Sequence, residues 1–119
     1  MSQYTDNIIA LNAVTTTTTS SAYDMSKREQ IGITFTCTGH SSGNGVFTVD
    51  GSNDGTNWVT GLAFQDATST AATTWVTSKT LSSNTTAGIF IPYFAFKLIR
   101  VVCTVTTDGS YTAVIEASG

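Results

Sequence analysis

Apolar and polar residues alternate with a period of two along most of this chain, and that alternation predicts strands. Ile31, Ile33, Phe35 and Cys37 fall on one side of a segment whose other side is Thr34, Thr36 and Thr38. This is a half-buried strand of antiparallel type, apolar inside and threonine outside. Further strands are expected from Asp6 to Val14, around Tyr23 and Met25, from Phe47 through Val49, from Asn57 to Gln65, and from Trp75 to Leu81. The run Thr15 to Ser21 is β-prone and low in complexity, a strand end or a loop. Ile89 to Val105 is the most apolar stretch. It is too long for one strand and is expected to break at Pro92 to Ala95, because proline cannot serve a central ladder. Its second part, Phe96 to Thr106, is the best central strand, and Tyr111 to Ala117 closes the sheet.

Turn chemistry separates these runs. Gly39 to Gly45, Asp66 to Ala72 and Ser82 to Gly88 read as loops, Lys27-Arg28-Glu29 as a charged turn, and Asp108-Gly109 as a tight hairpin turn. No amphipathic helix, internal repeat or linker interrupts the pattern. The sum is about eight short strands at roughly ten-residue spacing, which predicts a single all-β domain over residues 1–119. An antiparallel β-sandwich, jelly-roll-like, is the expected architecture. Met1 to Thr5 is expected to be a flexible N-terminal arm.

Composition sharpens the picture at one point. Only 11% of the residues are charged, against about 25% in an ordinary soluble domain. Threonine, at about a fifth of the chain, fills the gap and suits pleated, half-buried strands. Solitary β-proteins guard their sheet edges with lysine and other charges. Here the lysines are Lys27, Lys79 and Lys97. So few ionic guards suggest a surface covered by copies of itself or by a larger assembly. A net charge of −3 and scattered basic residues argue against a nucleic-acid partner. No apolar run approaches the roughly 20 residues of a membrane-spanning helix. Met1-Ser2-Gln3-Tyr4 lacks the basic-then-apolar pattern of a signal peptide. The expectation is synthesis and folding in the cytoplasm, or export by a route the sequence does not show.

Candidate chemistry is sparse. Asp50, Ser52 and Asp54 alternate ahead of Gly55 as in the first half of a calcium loop. The twelfth position is Gly61 rather than glutamate, so a closing carboxylate would have to come from elsewhere, for instance Asp66. A turn built from Asn, Asp and Gly is the simpler account. Trp58 and Trp75 are candidates for a sugar-stacking platform, or else for the interior or a subunit contact. His40, the one histidine, lies among Gly39, Ser41 and Ser42 without a nucleophile elbow, and is expected to be a solvated loop residue. Gly43-Asn44-Gly45 carries no phosphate-loop motif. Arg100, between Ile99 and Val101, projects opposite to its neighbours, toward an acid such as Asp50 or Glu116 or toward a neighbouring subunit. Glu116 alternates with apolar residues in the same way. Cys37 and Cys103 match no metal spacing and are expected to be buried free thiols, a disulfide being the alternative. No catalytic residue, cofactor or metal ligand is assigned, and the chain is expected not to be an enzyme.

Phe47-Thr48-Val49-Asp50-Gly51-Ser52-Asn53-Asp54-Gly55-Thr56-Asn57-Trp58 resembles the hairpin of discoidin-type domains. Tyr93-Phe94-Ala95-Phe96-Lys97-Leu98-Ile99-Arg100-Val101-Val102 is similar to the strand that follows it there. A discoidin domain is longer, and its N-terminal portion has no match here, so no binding residues carry over. The same two pieces resemble small β-sandwich virion proteins of bacteriophages. That likeness extends to Asn7 through Tyr23, Ile31 through Thr38 and the turn Asp108-Gly109-Ser110-Tyr111. It implies a structural role in the virion, often as a symmetric oligomer. The expected role is a capsid decoration or cement subunit bound to a major capsid protein and made in the host cytoplasm, with a homotrimer favoured because capsids offer three-fold positions to a small protein. The alternative is a carbohydrate-binding module or a receptor-binding component of a tail or spike.

Overall fold

In the computed structural model, which describes residues 5–66 and 75–118, the alternation becomes two antiparallel sheets packed face to face. The strands are β1 (Thr5–Val14), β2 (Thr18–Thr19), β3 (Tyr23–Asp24), β4 (Gln30–Thr38), β5 (Gly43–Ser52) and β6 (Trp58–Val59). They continue with β7 (Phe64–Asp66), β8 (Trp75–Val76), β9 (Lys79–Leu81), β10 (Thr85–Ile91), β11 (Leu98–Thr107) and β12 (Ser110–Ser118). The first sheet runs β1-β12-β4-β10-β7-β8, and the second β2-β11-β5-β6, with β3 also on β11 and β9 also on β5. This is the expected β-sandwich, but with twelve strands among the described residues rather than about eight, because predicted strands divide between the sheets and the Thr15 to Ser21 run adds a short one.

Inward residues follow directly from the sequence pattern. Ile31, Ile33, Phe35 and Cys37 of β4 meet Phe47, Val49, Ile99, Val101 and Cys103 of the second sheet in one buried cluster. Phe35 stacks on Phe47 across the sheets with ring centroids 4.1 Å apart, and Tyr111 meets Phe47 edge-on. Burying side chains of this size stabilises by about 1.5–3 kcal/mol each. The close approach has a sequence cost at Gly45, where a Cβ would overlap the Tyr111 ring. One edge is also tied by charge: Lys79 Nζ of β9 lies 2.9 Å from Asp66 Oδ2 of β7, bridging the two sheets.

The break at Pro92 is as expected, with β10 ending at Ile91 and β11 starting at Leu98 in the interior of the second sheet. Four expectations are corrected. Asn57 to Gln65 is not one strand: the chain bends at Gly61 (φ 65°), giving β6 to the second sheet and β7 to the first. Trp75 to Leu81 divides in the same way, β8 joining the first sheet and β9 the second. Asp108-Gly109 is not a hairpin turn. It carries the chain from the second sheet to the first, with Gly109 at φ 109° and the Tyr111 hydroxyl donating to the Asp108 carbonyl at 3.0 Å. The loops at Gly39 to Gly45 and Ser82 to Gly88 are shorter than read, because ladder pairing recruits Gly43 into β5 and Thr85 into β10. The Thr15 to Ser21 run contributes the short β2. Of the proposed N-terminal arm, Met1 to Tyr4 lie outside the described residues, and Thr5 opens β1. Most of the loop read at Asp66 to Ala72 likewise lies outside them.

Candidate functional site

Arg100 and Asp50 are cross-strand partners on the outer face of the second sheet. Arg100 Nε donates to Asp50 Oδ2 at 2.9 Å, and the Gly61 amide donates to Asp50 Oδ1 at 3.1 Å. Asp50 is buried, whereas the Arg100 side chain keeps 26% of its exposure. The guanidinium carbon sits 4.1 Å over the Trp58 ring, a cation–π contact. Trp58 therefore presents one face to a cation of its own chain and, of the two tryptophans, is the poorer stacking platform. Glu116, the other acid considered for Arg100, lies in the opposite sheet.

The calcium-like run folds as a turn. Asp50 points to Arg100. Asp54 accepts hydrogen bonds from the amides of Thr56 and Asn57 and from Asn57 Nδ2, at 2.8–2.9 Å. Those donors hold its carboxyl well below the usual carboxylate range. Ser52 Oγ donates to the Asn57 carbonyl at 2.6 Å and accepts from the Gly55 amide. The resulting hairpin pairs Ser52 with Trp58 and Gly51 with Val59. Among the described residues, no group of three or more His, Cys, Asp or Glu could hold a metal ion.

His40 is held at the other end of the sandwich. Its Nε2 lies 2.8 Å from the Gly43 carbonyl, which fixes that nitrogen as the donor, and its amide donates to Asn84 Oδ1. Asp108 Oδ1 accepts from the amides of Ser41 and Ser42, which lower its pKa. These bonds latch a loop. Cys37 and Cys103 are buried free thiols in opposite sheets, and burial pushes the Cys103 thiol up to about 12.

What the sequence reading missed lies on the outer face of the first sheet. Glu116, Gly32 and Phe90 are successive cross-strand neighbours, and Gln65 and Trp75 extend the same row. Gly32 and Gly88 leave a shallow groove of about 430 Å³, lined also by Gln30, Thr34, Phe90 and Glu116. Trp75 is 52% exposed and Phe90 36%. Glycines at strand-interior positions were the available signal, since such residues often mark a site of close approach. At the edge of the same sheet stands β1, paired among the described residues only to β12, with Ile9 59% exposed.

Fold and surface together define a two-sheet antiparallel β-sandwich with a shallow groove on one outer face and an edge strand that carries no charge from Asn7 to Val14. No family model matches the chain, and no curated protein matches its sequence. Among solved structures it is similar to the SPBc2 prophage-derived protein YomS, with a TM-score of 0.76 and 9% sequence identity. The match covers 98% of this chain and 96% of that one, so the fold is shared nearly end to end.

Proposed function

We propose that this chain is a structural protein of a bacteriophage virion, a capsid decoration or cement subunit that acts by protein–protein contact rather than by catalysis. The observation that carries the reading is β1. It is a ten-residue edge strand whose exposed flank offers no lysine and, from Asn7 to Val14, no charge. A free edge of this kind is a template for pairing with another chain, and the exposed Ile9 adds apolar area beside it. The fold likeness to a prophage-derived protein supports the phage setting.

In this reading copies assemble through β1 and the Thr-rich surface, as a homotrimer seated on a major capsid protein. Both contacts would remove apolar and threonine surface from water. The protein is made in the host cytoplasm and resides on the particle. Co-sedimentation of the purified protein with shells of the parent particle tests this: saturable binding at a fixed number of copies per shell is the expected result. Absence of the protein from purified particles, with no binding to the shells, would overturn it.

A further inference from the structure

Glu116 and Phe90 face each other across Gly32. Each is the outward residue between two buried neighbours, Ile115 and Ala117 for the first and Ile89 and Ile91 for the second. With strands about 4.8 Å apart, their Cα atoms stand roughly 10 Å apart. The floor between them is backbone, because Gly32 and Gly88 contribute no side chain. At Gly32 the space is open: a Cβ there would meet nothing nearer than the Ile89 carbonyl, at 3.9 Å. Among the described residues the Glu116 side chain makes no hydrogen bond or ion pair, and no lysine or arginine lines the groove.

We propose that this groove binds a neutral glycan, with a sugar ring stacked on Phe90 and its hydroxyls donating to the Glu116 carboxylate. A pyranose combines a C–H face, which suits an aromatic ring, with a rim of hydroxyl donors, which suits a carboxylate and the Thr34 hydroxyl. A lone carboxylate without a cation repels phosphate, sulfate and acidic sugars. Trp75, two strands beyond Phe90 in the same row, supplies a second stacking surface for the next sugar of a chain. The groove volume falls within the range of about 300–1,000 Å³ usual for small-ligand sites. The free backbone edge of β1 lies beyond β12, on the flank of this sheet, so strand pairing there leaves the groove open.

The test is amide NMR titration of the full chain with tetrasaccharides of glucose, galactose, mannose and N-acetylglucosamine, and with an oligouronate as the anionic control. The expected result is saturable shifts at Gly32, Thr34 and Gly88 with at least one neutral sugar and none with the uronate. Binding should weaken tenfold or more in Glu116→Gln and in Phe90→Ala. Gly32→Val fills the floor without altering a polar group, keeps β-propensity, and should abolish the shifts while the rest of the spectrum stays native. No shifts with any sugar at millimolar concentration, shifts elsewhere only, or shifts at these amides on raising protein concentration without sugar would each overturn the proposal. The last outcome would assign the face to a second copy. None of them bears on whether the protein binds a shell.

Discussion

Arg100 reaches across one rung of the second sheet to place its Nε 2.9 Å from Asp50 Oδ2, while its guanidinium carbon sits 4.1 Å over the Trp58 ring. The pair is asymmetric, since the acid is buried and the base half-exposed. Removing the base therefore strands a buried carboxylate with only the Gly61 amide, whereas removing both charges does not. Arg100→Leu should destabilise by about 3 kcal/mol, at the low end for breaking a buried pair. The double variant Arg100→Leu/Asp50→Leu should recover a large part of that loss. Urea unfolding of the three proteins checks this, and equal losses in single and double variants would contradict it.

Gly45 opposes the Tyr111 ring, and no side chain fits between them. Gly45→Ala should cost about 1–3 kcal/mol through overpacking. Tyr111→Phe removes the hydroxyl that donates to the Asp108 carbonyl and neighbours the Cys37 thiol, and should cost about 1 kcal/mol. Thermal unfolding ranks the two, and a smaller loss for Gly45→Ala than for Tyr111→Phe would show that the two sheets can part at this point at little cost.

Asp24, Asp54 and Asp108 each have a lowered pKa, through bonds from Ser26, from Asn57 and Thr56, and from Ser41 and Ser42 respectively. A carboxyl depressed in the folded state favours folding above its unfolded value, here 3.8, and that contribution is lost as pH falls through the lower folded value. Stability should therefore be flat with respect to these groups near neutrality and decline below about pH 4. In Asp54→Asn/Asp108→Asn the acid-side decline should be shallower. Melting temperature measured against pH checks this, and an unchanged slope would contradict it.

Cys103 is fully buried and its thiol is pushed up to about 12 by desolvation, while Cys37 is buried in the facing sheet. A thiol in that state offers almost no thiolate at neutral pH. A disulfide-exchange reagent should leave both cysteines unmodified in the native protein and label both after denaturation. Rapid native labelling would mean that the sheets part readily.

Much of this fold was legible in the sequence, for a physical reason. β4, β11 and β12 bury one face and expose the other, and that contrast writes itself into a period of two. Pro92 marked the break before β11 because it lacks an amide for the ladder. The hairpin around Asp54 was legible because its Asp, Asn and Gly satisfy their own backbone. What escaped was pairing. Asp108-Gly109 has the chemistry of a tight turn, but local turn chemistry does not say whether the next strand returns to the same sheet, and here it crosses to the other. Trp75-Val76 and Lys79-Leu81 were joined for the same reason. The groove escaped because Gly32, Phe90 and Glu116 lie on three strands far apart in sequence, and only the register places them in one row.

β1 is the place where assembly should be most sensitive to a single charge. Ile9→Lys puts an edge guard on the exposed flank without touching the core, since Ile9 is 59% exposed. It should leave the melting transition of the isolated subunit unchanged and shift the protein toward smaller species in sedimentation. An unaltered assembly state would move the contact away from β1.

The central claim is that this sandwich does not stand alone, and molar mass in solution by light scattering tests it most directly. The account predicts a discrete oligomer, three times the 12.5 kDa subunit mass, that persists on dilution into the micromolar range. A monodisperse 12.5 kDa species at the highest attainable concentration would contradict it.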